Sequence, residues 1–146
     1  MTDPIRRTIV VRCTPQRAFE VFTQEMSSWW PFDTHSIGEQ RTRGAVFEGR
    51  EGGTVYELID GDETATWATV LAWEPPTRVL LSWHVNPQVP ATQLEVRFAP
   101  EGDGTRVVLE HRGWELLGDK AEEGRGSYDE GWDFVLDRYT TGVDEA

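Results

Sequence analysis

Near its C-terminus, over residues 127–143, the chain reads Ser-Tyr-Asp-Glu-Gly-Trp-Asp-Phe-Val-Leu-Asp-Arg-Tyr-Thr-Thr-Gly-Val, an amphipathic helix that has to be laid against something. Tyr128, Trp132, Val135, Leu136, Tyr139 and Val143 recur at helical spacing and form an apolar stripe about 100° wide, while Asp129, Asp133, Asp137 and Arg138 face away. Ser127 followed by Glu130 has the form of a capping box, which predicts the helix start at that serine. The surface that receives the stripe has to come from upstream, where most of the chain reads as strand. Large rings set against a curved sheet leave room for a cavity, so the chain is expected to bind something small.

Residues 5–13 predict a first strand, with β-branched Ile9, Val10 and Val11, and Thr14-Pro15 supplies an N-cap and a proline at the first helical position. A helix follows over residues 15–24, carrying Ala18, Val21 and Phe22 on one side, then a second short helix over 26–30 that Pro31 stops. Residues 33–43 lack periodicity and read as an exposed, mobile loop suited to a lid. Strands are expected at 45–50, 54–59, 65–74, 78–85, 93–99 and 105–112, divided by turn signals such as Glu51-Gly-Gly53, Asp60-Gly-Asp62 and Glu101-Gly-Asp-Gly104. Residues 117–126 read as the loop feeding the last helix. The order predicts one α+β domain over residues 1–146: a curved antiparallel sheet of about seven strands wrapped round a long C-terminal helix, with two short helices after the first strand.

A chain of 146 residues buries roughly 70% of its unfolded surface and needs neither disulfide nor metal for stability. The single cysteine, Cys13, excludes an internal disulfide and suits a reducing cytoplasm, which is the expected location. No apolar run approaches the ~20 residues that span a bilayer, and no signal core opens the chain. With 26 acidic and 14 basic residues, the net charge of -12 opposes a phosphate backbone, so nucleic acid is not an expected partner.

Strand alternation puts Leu81, Trp83 and Val85 on one face, likewise Leu94, Val96 and Phe98, and Val107, Leu109 and His111; all three sets are assigned inward. In 65–74, Trp67, Leu71 and Trp73 share one face and Ala68, Val70 and Ala72 the other, and alternation leaves open which is inward. Trp29-Trp30-Pro31-Phe32 stands beside the lid segment: either one ring faces the cavity mouth or both pack the short helices onto the sheet. His111, an imidazole on an apolar face, needs a partner, either as a buried structural histidine or as a group that orients a ligand. His35 sits in the lid loop, where it can close over a ligand, and His84 points opposite to Trp83. The three histidines lack zinc spacing and Asp60-Gly-Asp-Glu63 lacks the ladder of a calcium loop, so neither metal nor cofactor is expected.

Several segments together resemble the helix-grip, START-like superfamily (SRPBCC), and within it the activator-of-heat-shock-protein-ATPase homologues. The segments are Thr14 to Phe22, Phe47-Glu-Gly-Arg-Glu-Gly-Gly53, the strand–Pro75-Pro76–strand run from Val70 to Trp83, Gly104 to Gly113, and Gly131-Trp132. The resemblance implies a hydrophobic cavity between sheet and long helix, used by different members for lipid or polyketide-like ligands, for occasional catalysis, or as a chaperone-binding module; its pattern also points Val70 inward. The eukaryotic co-chaperone carries an additional N-terminal domain for which this length leaves no room. The expectation is therefore a binding domain for a small hydrophobic or aromatic molecule, with Trp29, Trp30, Phe32, His35, Trp83, Phe98, His111, Tyr128 and Trp132 as candidate ligand contacts. The alternatives are a module that binds a cytoplasmic chaperone, and a cyclase-like enzyme using His111 with Tyr128 or Glu110. Monomer and homodimer both fit the exposed edges.

Overall fold

In the computed structural model, which describes residues 3–145, the chain opens with strand β1 (Ile5–Val11), helix α1 (Pro15–Phe22) and a 3₁₀ turn, Met26–Ser28. After a second 3₁₀ turn, Glu39–Arg41, six strands run in succession: β2 (Thr42–Phe47), β3 (Thr54–Ile59), β4 (Glu63–Glu74), β5 (Arg78–Trp83), β6 (Thr92–Glu101) and β7 (Gly104–Arg112). A 3₁₀ segment, Trp114–Lys120, leads into the long helix α2 (Ala121–Glu145). The seven strands form one antiparallel sheet in the order β1-β7-β6-β5-β4-β3-β2, curled round α2 as a half-barrel. Among the described residues, no helix is long and apolar enough to cross a membrane.

The single-face strands follow their alternation. Leu81 and Trp83, Leu94, Val96 and Phe98, and Val107, Leu109 and His111 are all buried; Trp83 and His111 meet Trp132 of α2, and Phe98 meets Phe19 and Phe22 of α1. Thr14 caps α1 through its hydroxyl, which accepts from the Arg17 amide at 3.2 Å, with Pro15 at the first helical position as expected. At the β2 edge, Ser27 donates to the Ala45 carbonyl and accepts from the Ala45 amide, both at 2.8 Å. One hydroxyl thus occupies a backbone pair that would otherwise be open to another strand.

β4 departs from alternation, and the departure resolves which face is inward. Against β3, Val55 pairs with Ala68 and Tyr56 with Thr66, so Trp67 is an extra residue; against β5, Val70 pairs with Leu81 and Ala72 with Leu80, so Leu71 is another. Each extra residue makes a β-bulge that re-aims its neighbours. Trp67, Ala68 and Val70 are all buried, Leu71 is thrown out to 41% exposure, and Trp73 swings back to meet Phe19 at 4.9 Å between ring centroids. Both faces named by simple alternation contribute to the core.

The helix start also departs from expectation. α2 begins at Ala121, and Ser127 lies exposed inside it rather than capping it. Trp114 decides this. Its indole is 1% exposed and donates to the His111 carbonyl at 2.9 Å, and burying such a ring contributes about 4–6 kcal/mol gross against the ~1 kcal/mol of a cap. Anchored there, residues 114–120 turn on the left-handed Gly118 (φ 57°), and Glu122 and Glu123 enter the first helical turn, where the dipole favours acids.

Packing along α2 is uneven. Towards its C-terminal half, Tyr139 lies 5.1 Å from both Phe22 and Trp29, Phe22 meets Phe98 at 6.1 Å, and the Tyr139 hydroxyl donates to the Ala18 carbonyl at 2.8 Å. That end is a solid aromatic plug. The N-terminal half stands over space.

Candidate functional site

The space is a half-open cavity of about 320 Å³ bounded by four indoles, Trp30, Trp67, Trp83 and Trp132. α2 contributes Ser127, Tyr128, Gly131, Trp132 and Val135, the residues that helical periodicity lays along one flank, and the loop residues Thr34 to Ile37 form the lid. Trp30 hangs over the middle: its ring centroid is 5.0 Å from Trp67, 6.4 Å from Trp83 and 6.1 Å from Trp132, and its N–H donates to the His35 carbonyl at 2.8 Å. At the mouth, the His35 ring stacks on Phe134 of α2, 5.0 Å away and 17° from parallel. The Gly131 position is roomy: a side-chain carbon there would meet the His35 ring at 3.7 Å, ordinary contact distance.

The lid is not the loose loop its composition suggests. Glu57, wholly buried on β3, receives four hydrogen bonds: from the Ile37 amide (2.6 Å), the Gly38 amide (2.8 Å), the Thr42 hydroxyl (2.7 Å) and the Trp67 indole (2.6 Å). One carboxylate thus straps residues 37–42 to the cavity floor. A buried carboxylate needs this many donors, because unpaired it would cost several kcal/mol. Glu57 is not among the residues singled out from sequence, yet it carries a signal there: in β3 it shares a face with Val55 and Ile59, a charge within an apolar set.

His111 lies behind the cavity wall. Its Nδ1 is 3.0 Å from the Trp132 indole nitrogen and its Nε2 is 2.7 Å from the Thr92 hydroxyl. An indole N–H can only donate, so Nδ1 is unprotonated and the neutral ring carries its proton on Nε2, donating to Thr92. The Thr92 hydroxyl then turns to the Trp83 carbonyl, 3.4 Å away. Burial pushes the pKa of His111 down to about 3. With both nitrogens engaged, this imidazole fixes the orientation of Trp132 and has no position free for proton transfer.

Tyr128 is different. Its hydroxyl oxygen accepts from the Trp83 indole at 2.9 Å, while its own proton meets no acceptor among the described residues. Burial raises the phenol's pKa, so at neutral pH the group stays protonated and presents an unspent donor to the cavity.

Of the residues singled out from sequence, Trp30, His35, Trp83, Tyr128 and Trp132 line the cavity. Phe32 packs on Trp67 at 6.3 Å, set back from the opening. Trp29 and Phe98 belong to the solid end, the former donating to the Val21 carbonyl at 2.7 Å. The lining also includes Trp67, Ile37, Val85 and the small helix residues Ser127 and Gly131.

A curled sheet that grips a long helix, with an aromatic cavity under the helix's first turns, defines a helix-grip domain of the SRPBCC kind. The chain belongs to the family of activator of Hsp90 ATPase homolog 1-like proteins, whose model matches residues 12–141. No curated protein matches it. Among solved structures it is similar to an anthrahydroquino-gamma-pyrone synthase, Txn09, complexed with SUM, at 29% identity and a TM-score of 0.64 over 95% of this chain and 96% of that one. CalC, a self-sacrificing resistance protein from Micromonospora echinospora, superposes with a TM-score of 0.75 at 24% identity over 99% and 96% of the two chains. The Aha1 dimer from Colwellia psychrerythraea gives 0.71 at 14% over 97% and 96%. The latter two likenesses are of fold.

Proposed function

We propose that this chain binds a planar aromatic or hydrophobic small molecule in the cavity between lid, sheet and α2, with Trp30, Trp67, Trp83 and Trp132 as stacking surfaces and Tyr128 as the polar anchor. The observation that carries the reading is the unspent Tyr128 proton inside an enclosure of four indoles. Such a site is mostly apolar with a few directed polar groups, the usual make-up of a small-molecule pocket. The 29% likeness to a synthase of an anthrahydroquinone-type product supports an aromatic ligand class. Binding is favoured over cyclase-like chemistry because His111 is neutral, buried and doubly engaged. A chaperone surface, the reading the family name suggests, draws no comparable support from the geometry of the cavity.

Gly131 offers a test in which stability and binding separate. Gly131→Ala is expected to stabilise the fold by about 0.5–1 kcal/mol, since glycine in a helix interior carries that penalty and the added carbon meets no crowding. Gly131→Phe should remain folded by circular dichroism but fill the cavity. Hydroxylated anthraquinones and long-chain fatty acids, titrated against tryptophan fluorescence and thermal unfolding, are the probes. Saturable quenching is expected with the quinones, with about 2.7 kcal/mol of added stability at a hundredfold excess over Kd, and loss of both in Gly131→Phe. Binding that persists unchanged in Gly131→Phe, or no binding by either class, overturns the proposal.

A further inference from the structure

A second cavity, about 260 Å³, lies beside the first, between the β5–β6 connection, the Trp114–Lys120 turn and the start of α2. Leu117, Val89, Pro90 and Gly124 are among its lining residues. The two cavities share Trp83, Val85, Ser127 and Tyr128, so the partition between them is the pair joined by the Trp83–Tyr128 hydrogen bond. One flank of α2 runs past both: Gly124, Ser127, Tyr128, Gly131 and Val135 lie along it over about 17 Å at roughly 1.5 Å per residue. Pockets for drug-sized ligands span about 300–1,000 Å³. The first cavity is at the bottom of that range and the second below it, but in series they reach its middle.

From this we infer that the Trp83–Tyr128 pair is a gate between two compartments of one elongated site, and that the ligand is a long planar aromatic ketone or quinone whose mid-length oxygen replaces the contact between the two side chains. The inference rests on the pocket reading above and specifies its ligand. The Trp83 N–H and the Tyr128 O–H converge 2.9 Å apart, and among the described residues only the first has an acceptor. A carbonyl oxygen inserted there accepts from both, so parting the gate leaves no donor unpaired. A hydrocarbon of the same length would leave both without acceptors. Selection therefore falls on oxygen at the middle of the molecule, a discrimination of the kind that buried donors impose on ligands lacking the matching group.

The test compares a two-ring naphthoquinone, a linear four-ring quinone, and the four-ring analogue with methylenes in place of the central carbonyls. Wild type is expected to bind the four-ring quinone at least tenfold more tightly than either other probe. Gly124→Phe, which fills the second compartment from the helix, should remove that advantage and leave the two-ring probe unaffected; the added carbon comes within 2.9 Å of the movable tip of Leu117, which has to shift, and meets the Trp114 ring at an ordinary 3.8 Å. Val89→Trp repeats the block from the opposite wall should the helix variant fail to fold. Tyr128→Phe should narrow the preference for the quinone over its methylene analogue, because only the Trp83 N–H is then left to select for oxygen; an unchanged preference overturns the gate. Equal binding of the four-ring quinone by wild type and both blocked variants overturns the gate and leaves the single-pocket reading standing. Failure of every probe to bind wild type overturns both.

Discussion

Replacing Glu57 with leucine is expected to cost about 3–5 kcal/mol of folding stability. The shape is nearly kept, so the loss comes from the four donors that converge on the carboxylate. A buried donor left without an acceptor costs about 1–3 kcal/mol. The Ile37 and Gly38 amides can reach water if the lid lifts, and the Thr42 hydroxyl keeps its 3.0 Å contact with Ser36. The Trp67 indole, 1% exposed, has no such escape. For a domain of this size the loss appears as a fall of roughly 10 °C or more in Tm. Amide exchange should show where the strap has gone, with Ile37 and Gly38 losing protection ahead of β3. Glu57→Gln should fall between, because its NH₂ group faces donors on one side. A loss below 1 kcal/mol in the leucine variant, or unchanged exchange at residues 37 and 38, contradicts the strap.

The second large effect is with pH. His111 is held neutral in the fold, with a pKa of about 3, against about 6.5 in the unfolded chain. Below pH 6.5 the unfolded state takes up a proton that the native state refuses, so the His111 contribution is complete above that pH and lost as pH falls towards 3. The slope is about 1.4 kcal/mol per pH unit, or roughly 2–3 kcal/mol between pH 6.5 and 4.5. Carboxylates act lower: Glu110, pulled below its ordinary range chiefly by the hydrogen bond from Arg6, loses its contribution only under pH 4.5. Denaturant melts from pH 7.5 to 4.5 should therefore decline in wild type before the acids titrate. His111→Gln, which can still accept from Trp132, should flatten that limb. Equal slopes in the two proteins would remove His111 as the cause.

Where a strand buries one face only, its residues declare themselves. Alternation alone assigns Trp83, Val96 and His111 inward, and inward they are. β4 resisted because its two bulges lie at Trp67 and Leu71, and nothing local distinguishes a bulged tryptophan from an alternating one. The helix start is hidden for a similar reason: the Ser127–Glu130 pattern is local, whereas Trp114 acts through a burial that exists only when the sheet is folded. Of the cavity, the large rings were legible and the arrangement of the lid was not. Glu57 lies 15 and 20 residues from Thr42 and Ile37, the partners that explain it, and a single sequence carries no mark of that pairing. An imidazole on an apolar face declares that His111 needs a partner; that the partner is an indole of α2 is visible only in three dimensions.

The uneven packing along α2 has a consequence for how such a domain diversifies. The plug formed by Phe22, Trp29, Phe98 and Tyr139 secures one half of the helix, while Tyr128, Gly131 and Val135 shape what lies beneath the other. Substitutions that share no contacts tend to add in their energetic effects. Lineages can accordingly resculpt the hollow end for new chemistry while the anchored end continues to guarantee folding, and a single scaffold is able to serve molecules of many shapes.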